Sequence, residues 1–135
     1  SYRTSPLSDY SLGVDVQVPN GEGGVMLRFI DARNYLSFSI NPAETSYRLE
    51  QHSGGAVRVL AGGQSEAIAS GADAVNRLVA RLEGNHIELL SNGQRLADLD
   101  VSGSSDSTRF GLLAIGGTAD SVALFDNLQI HQIEN

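Results

Sequence analysis

The side chains best suited to chemistry fall in one early stretch. Arg28, Tyr35, Ser37, Ser39, Arg48 and Glu50 stand opposite the apolar sets of consecutive extended segments, so neighbouring strands would bring them side by side on one outer surface. Their chemistry is recognition rather than reaction. Arginine forks onto carboxylates or sugar hydroxyls, and tyrosine stacks on a pyranose ring. The plainer reading is a solvated face carrying cross-strand Arg–Glu pairs, each worth less than about 1 kcal/mol. Tryptophan is absent and aromatic residues make up only 6% of the chain, which weakens the case for a flat sugar platform.

Asp126 raises a second question. Val122, Leu124, Leu128 and Ile130 share its parity, so a regular strand would aim its carboxylate at the core. A lone buried carboxylate is costly and demands a partner. Backbone N–H groups of a neighbouring loop, with help from Asn127, would meet that demand. So would a calcium ion completed by backbone carbonyls and by Asp9 or Glu22, since calcium takes six to eight oxygens. No Asp-x-Asp-x-Asp-Gly loop accompanies these residues.

Signals of catalysis are poor. Glu50 and Glu88 are isolated strand acids, Asp98 and Asp100 sit by a turn, and no paired-carboxylate cluster is present. His52, His86 and His131 lack ligand spacing and read as exposed strand residues. Gly-x-Ser-x-Gly is absent, and Gly103-Ser104-Ser105 lacks the strand–turn–helix setting of a nucleophile elbow. The glycine clusters read as turns, because no Lys-Ser/Thr phosphate-binding pattern follows them.

The elements that position these residues are short strands. Tyr10, Leu12, Val14, Val16 and Val18 alternate with polar residues and glycine at a period of two, and Pro19 to Gly24 breaks the run. Further strands are expected over 25–30, 35–40, 47–52 and 57–60. Residues 61–74, rich in Gly, Ala and Ser, read as a loop with room for one helical turn. Strands resume over 76–83, 86–91, 94–101, 109–115 and 122–133. Asn92-Gly93 is the strongest hairpin signal, because a tight primed turn needs positive φ at both central positions. No long apolar stripe at helical period, internal repeat or Pro-rich linker appears. The expected class is therefore all-β, a single domain over residues 1–135 whose strand and turn spacing is typical of sandwiches and barrels.

Composition narrows the partners. The chain of 135 residues carries a net charge of −7, and all nine of its basic residues are arginine. A negative field repels phosphate backbones, so no nucleic-acid partner is expected. No apolar run approaches the ~18 residues of a membrane span. Cysteine is absent, which removes disulfides, thiol catalysis and thiolate metal sites. Ser1-Tyr2-Arg3-Thr4 reads as the start of a mature or trimmed chain.

Several runs carry a family likeness. They are Gly24-Val25-Met26-Leu27-Arg28-Phe29-Ile30-Asp31-Ala32-Arg33-Asn34-Tyr35, Asn76-Arg77-Leu78, Asn92-Gly93-Gln94, Phe110-Gly111-Leu112-Leu113-Ala114 and Phe125-Asp126-Asn127-Leu128. In this order and spacing the chain resembles the bacterial laminin-G-like domains of the concanavalin A-like lectin/glucanase superfamily. The likeness spans roughly residues 2–133. It implies a jelly-roll sandwich, an extracytoplasmic location, and in related jelly rolls a structural calcium ion. It is nearly silent on activity. The group includes a glycoside-hydrolase branch, but the Glu-x-Asp-x-x-Glu type of motif used by glucanases on this fold is missing.

Members of the group usually begin with a further strand upstream of the segment matching Tyr2-Arg3. Its loss would leave a sheet edge with unpaired backbone groups. Either Ser1–Leu7 covers that edge, or a neighbouring chain supplies the strand, with Ser1–Asp9 and Val122–Ile133 in contact. The leading expectation is a non-catalytic extracytoplasmic module for adhesion, ligand binding or self-assembly, with a protein or glycan partner at the cell surface. A carbohydrate-binding domain is the alternative, and a glycoside-hydrolase-like enzyme comes third.

Overall fold

The computed structural model describes residues 9–102, 107–115 and 123–133. Of the segments expected in strand complementation, Ser1–Asp9 and Val122–Ile133, residues 1–8 and 122 lie outside the described residues. Ten strands form and no helix does, among the described residues. In chain order they are β1 (Tyr10–Gln17), β2 (Glu22–Asp31), β3 (Asn34–Asn41), β4 (Ser46–Ser53), β5 (Ala56–Gln64), β6 (Val75–Glu83), β7 (His86–Ser91), β8 (Gln94–Asp100), β9 (Gly111–Ile115) and β10 (Leu124–Gln132). They make two five-stranded sheets, ordered β10-β1-β6-β7-β8 and β5-β4-β3-β2-β9. Every pairing is antiparallel. The two sheets enclose one core, a jelly-roll sandwich as the sequence resemblance implies.

Leu12, Val14 and Val16 of β1, Leu36, Phe38 and Ile40 of β3, and Leu78, Ala80 and Leu82 of β6 are all buried in that core. Each large apolar side chain withdrawn in this way contributes about 1.5–3 kcal/mol. Asn92 and Gly93 both have positive φ, at 53° and 83°, as the β7–β8 hairpin requires. β5 runs to Gln64 and is longer than the sequence suggests: Ala61, Gly62 and Gly63 pair with Leu49, Arg48 and Tyr47. The glycines that read as a loop are carried flat along a sheet edge.

Register shifts at four places among the described strands, and two of these bulges turn candidate residues to the other face. In β2, Leu27 faces Leu36 and the next pair is Asp31 with Asn34. Arg28, Phe29 and Ile30 therefore stand against Tyr35 alone, and Arg28 takes a φ of 50°. This turns Arg28 off the outer face, where alternation places it, and into the sandwich, where it is 2% exposed. Its guanidinium donates to the carbonyls of Ser107 and Gly84, both at 3.2 Å, and lies 5.4 Å from the Tyr10 ring centre. Burial pushes the Tyr10 phenol up, and the Arg28 charge opposes the shift.

The second bulge lies between β1 and β10. Register shifts between Gly13 and Asp15, and Asn127 has a φ of 53°. Phe125 faces Val16 and packs on the core, whereas Leu124 faces Gln17. Asp126 faces Asp15 and is exposed, so the expected core-facing carboxylate is not found. Among the described residues β10 is the outermost strand of its sheet, and Leu128 and Ile130 are half exposed.

Candidate functional site

Strand register assembles a polar face on the outer side of the β5–β9 sheet. One cross-strand row runs Gly24, Ser39, Arg48, Gly62. The next runs Met26, Ser37, Glu50, Val59, and a third runs Tyr35, His52, Val57. The partners of these residues on the inner side, among them Val25, Leu27, Phe38 and Leu49, are core. The face is the obligatory other half of a period-two pattern.

Small residues make its floor. Ser37 and Ser39 are each 2% exposed, covered by the longer side chains of β2 and β4. Arg48 reaches across β3 to Glu22, with Nη2 donating to Oε1 at 2.7 Å, and Ser39 Oγ donates to the same oxygen at 3.2 Å. On the other side Arg48 Nε lies 3.4 Å from the Glu50 carboxylate. The guanidinium is thus held between two carboxylates, which fixes the direction of its remaining N–H donors.

Beside this cluster, His52 Nε2 lies within hydrogen-bond distance of Ser37 Oγ, at 3.2 Å, and 3.8 Å from Glu50. Its ring stacks on Tyr35 at 4.1 Å with planes 13° apart. Phe29 tilts onto Tyr35 at 5.8 Å, and the Arg109 guanidinium lies 5.2 Å from the Phe29 ring centre. One face of Tyr35 is thus taken by the His52 ring and is no open platform for a sugar.

Of the residues expected on this face, Tyr35, Ser37, Ser39, Arg48 and Glu50 come together, and Arg28 does not. Glu22, expected near a metal, belongs to the face instead. His52 lacks metal-ligand spacing in the sequence, but its parity with Arg48 and Glu50 carries the signal that places it here. The proposed metal residues do not converge. Asp9 Oδ1 accepts from the Gly84 N–H at 2.8 Å, Asp126 Oδ1 accepts from the Asn127 N–H at 2.8 Å, and Glu22 is engaged by Arg48. Among the described residues no group of three His, Cys, Asp or Glu side chains could hold a metal ion.

The opposite sheet carries a separate charge ladder on its outer face. Arg81 and Arg95 both contact Glu88, at 3.5 and 2.9 Å, and Arg95 lies 3.4 Å from Asp98. His86 meets Asp100 through Nδ1 at 2.6 Å and Asp98 through Nε2. These acids and this histidine, isolated in the sequence, are joined by the β7–β8 register. The hydrogen bonds to Asp100 and then Asp98 hold the His86 imidazolium above the usual histidine range. A raised folded-state value means that this cluster stabilises the fold fully below the unfolded value. The contribution fades as pH rises through the folded one, that is, upward from about pH 6.5. Urea midpoints measured across that range should fall with pH in the native protein and lose that component of the slope in His86→Gln. An identical slope in both would remove His86 from the account.

Comparison with known proteins adds the fold's relatives. No protein-family model matches the chain, and no curated protein matches it. Solved structures do. The carbohydrate-binding module CBM66 from Bacillus subtilis superposes with a TM-score of 0.75 at 20% identity, over 91% of this chain and 74% of that one. A tetrameric galectin from the ball sponge Cinachyrella sp. gives 0.74 at 14% identity, over 96% of both chains. A GH43 protein from Bacillus licheniformis gives 0.70 at 16% identity; the match covers 93% of this chain but only 28% of that protein. At these identities the likeness is one of fold alone: a two-sheet antiparallel jelly-roll sandwich.

Proposed function

We propose that the chain is a non-catalytic glycan-binding module whose site is the outer face of β2, β3 and β4. Of the readings the sequence opens, this one has more support than adhesion or self-assembly, because lectin-type neighbours and a built polar face point the same way. The carrying observation is Arg48 locked between Glu22 and Glu50 above a serine floor. Fixed donors and acceptors of this kind match the alternating hydroxyls of a sugar ring. Val57 and Val59, more than half exposed on the same face, offer apolar contact for the C–H side of a ring. The laminin-G-like sequence likeness supports an extracytoplasmic module acting on cell-surface or extracellular glycans.

A glycan array followed by calorimetry tests this. Arg48→Ala should weaken the best ligand by at least about tenfold, roughly 1.4 kcal/mol. Arg95→Ala, on the opposite sheet, should leave affinity unchanged. Absence of binding to every glycan, or binding untouched by Arg48→Ala, would overturn the proposal.

A further inference from the structure

A cleft of about 100 Å³ opens at one end of this face, between Glu22, Asn41, Glu44 and Arg48, with Ser39 and Tyr47 in its wall. Its polar groups are unevenly satisfied. Asn41 Oδ1 is buried and accepts no hydrogen bond among the described residues. Glu22 Oε1 takes both Ser39 and Arg48, which leaves Oε2 without a hydrogen bond among the described residues. A buried acceptor without a donor costs about 1–3 kcal/mol, so the cleft calls for a group that brings O–H donors. The guanidinium of Arg48 stands beside these acceptors and can donate in return.

Charge restricts the donor further. Glu22 and Glu44 line the cleft with Arg48, and Glu50 pairs with Arg48 beside it, so three carboxylates and one guanidinium lie in and next to the cleft. A carboxylate, phosphate or sulfate group brought into the cleft would meet net repulsion and would supply acceptors where donors are required. The volume matches about three water-sized groups, which suits adjacent hydroxyls of a sugar rather than a whole ring.

We infer that this cleft is a subsite for adjacent hydroxyls of an uncharged sugar, with Asn41 Oδ1 and Glu22 Oε2 accepting and Arg48 donating. The inference rests on the glycan-binding reading and narrows it to neutral glycans. Asn41 is a specificity residue whose acceptor is left unsatisfied until ligand arrives.

The test titrates the whole chain with methyl glycosides of glucose, galactose, mannose and fructose, and with glucuronate and galacturonate. Neutral sugars should bind at least tenfold more tightly than the uronates. Asn41→Leu should lower affinity for the best neutral sugar at least tenfold while leaving the melting temperature unchanged or higher, since it removes an unpaired buried acceptor. A residue of merely structural importance would lose stability instead. Uronates binding as tightly as neutral sugars would overturn the inference. So would native affinity in Asn41→Leu when Arg48→Ala abolishes binding, a result that leaves the wider face reading intact. Binding that survives Arg48→Ala, or no binding to any of the sugars, would remove the face reading and the subsite with it.

Discussion

Arg28→Ala should lower stability by about 3 kcal/mol, because it leaves the carbonyls of Gly84 and Ser107 without their charged donor and opens space beside Tyr10. For a domain of this size that corresponds to a fall in melting temperature of about 10 °C. Glycan affinity, measured well below the melt, should be that of the native protein. Sequence parity makes the opposite forecast: an exposed Arg28 would contribute little to stability and much to binding. A variant with an unchanged melting temperature and lost binding would return Arg28 to the outer face. Arg28→Lys should recover only part of the loss, since an ammonium cannot span two carbonyls as the guanidinium fork does.

Gly24→Ala should be at least as damaging, at about 3 kcal/mol or more. A Cβ at position 24 would lie 1.9 Å from the Phe38 carbonyl oxygen and 2.7 Å from the Ser39 Cα. Both are backbone atoms of the adjacent strand, so β2 and β3 would have to part where they carry Glu22 and Ser39. Gly111→Ala makes the control. Its Cβ would meet only the tip of Met26, at 2.6 Å, and a methionine end moves aside readily, so the cost should stay below about 1 kcal/mol. Thermal melts of the two variants check the contrast, and equal melting temperatures would contradict it.

These two sites mark where the sequence was legible and where it was not. Regular alternation locates the core of β1, β3 and β4, because Tyr10 to Val18, Leu36 to Ile40 and Leu49 face inward without interruption. Parity puts Arg28 and Asp126 on the wrong side, in both cases because a bulge interrupts the strand. One extra residue in β10 inverts the inside–outside assignment across it, whereas the three residues of β2 that oppose Tyr35 break the alternation only locally, at Arg28 itself, and a bulge need not be marked by glycine. At Asn127 the residue type tolerates positive φ and offered a hint; at Arg28 nothing did. The site was half legible. Tyr35, Ser37, Ser39, Arg48 and Glu50 follow from parity on β3 and β4 alone. His52 follows from the same parity on β4, whereas Glu22 needs the cross-strand register. So does the His86–Asp98–Asp100 cluster, whose members lie on opposite arms of a hairpin. Asn41 became visible only as an acceptor with nothing to accept.

Chemical-shift mapping during titration of the isotope-labelled chain with its best neutral sugar is the most direct check on where ligand sits. Backbone amides of residues 22–26, 37–41 and 48–52 should move and saturate together, while those of β6, β7 and β8 stay still. Saturable shifts confined to the Arg81–Glu88–Arg95 side, or no shift on β3 and β4 at saturating sugar, would contradict the assignment.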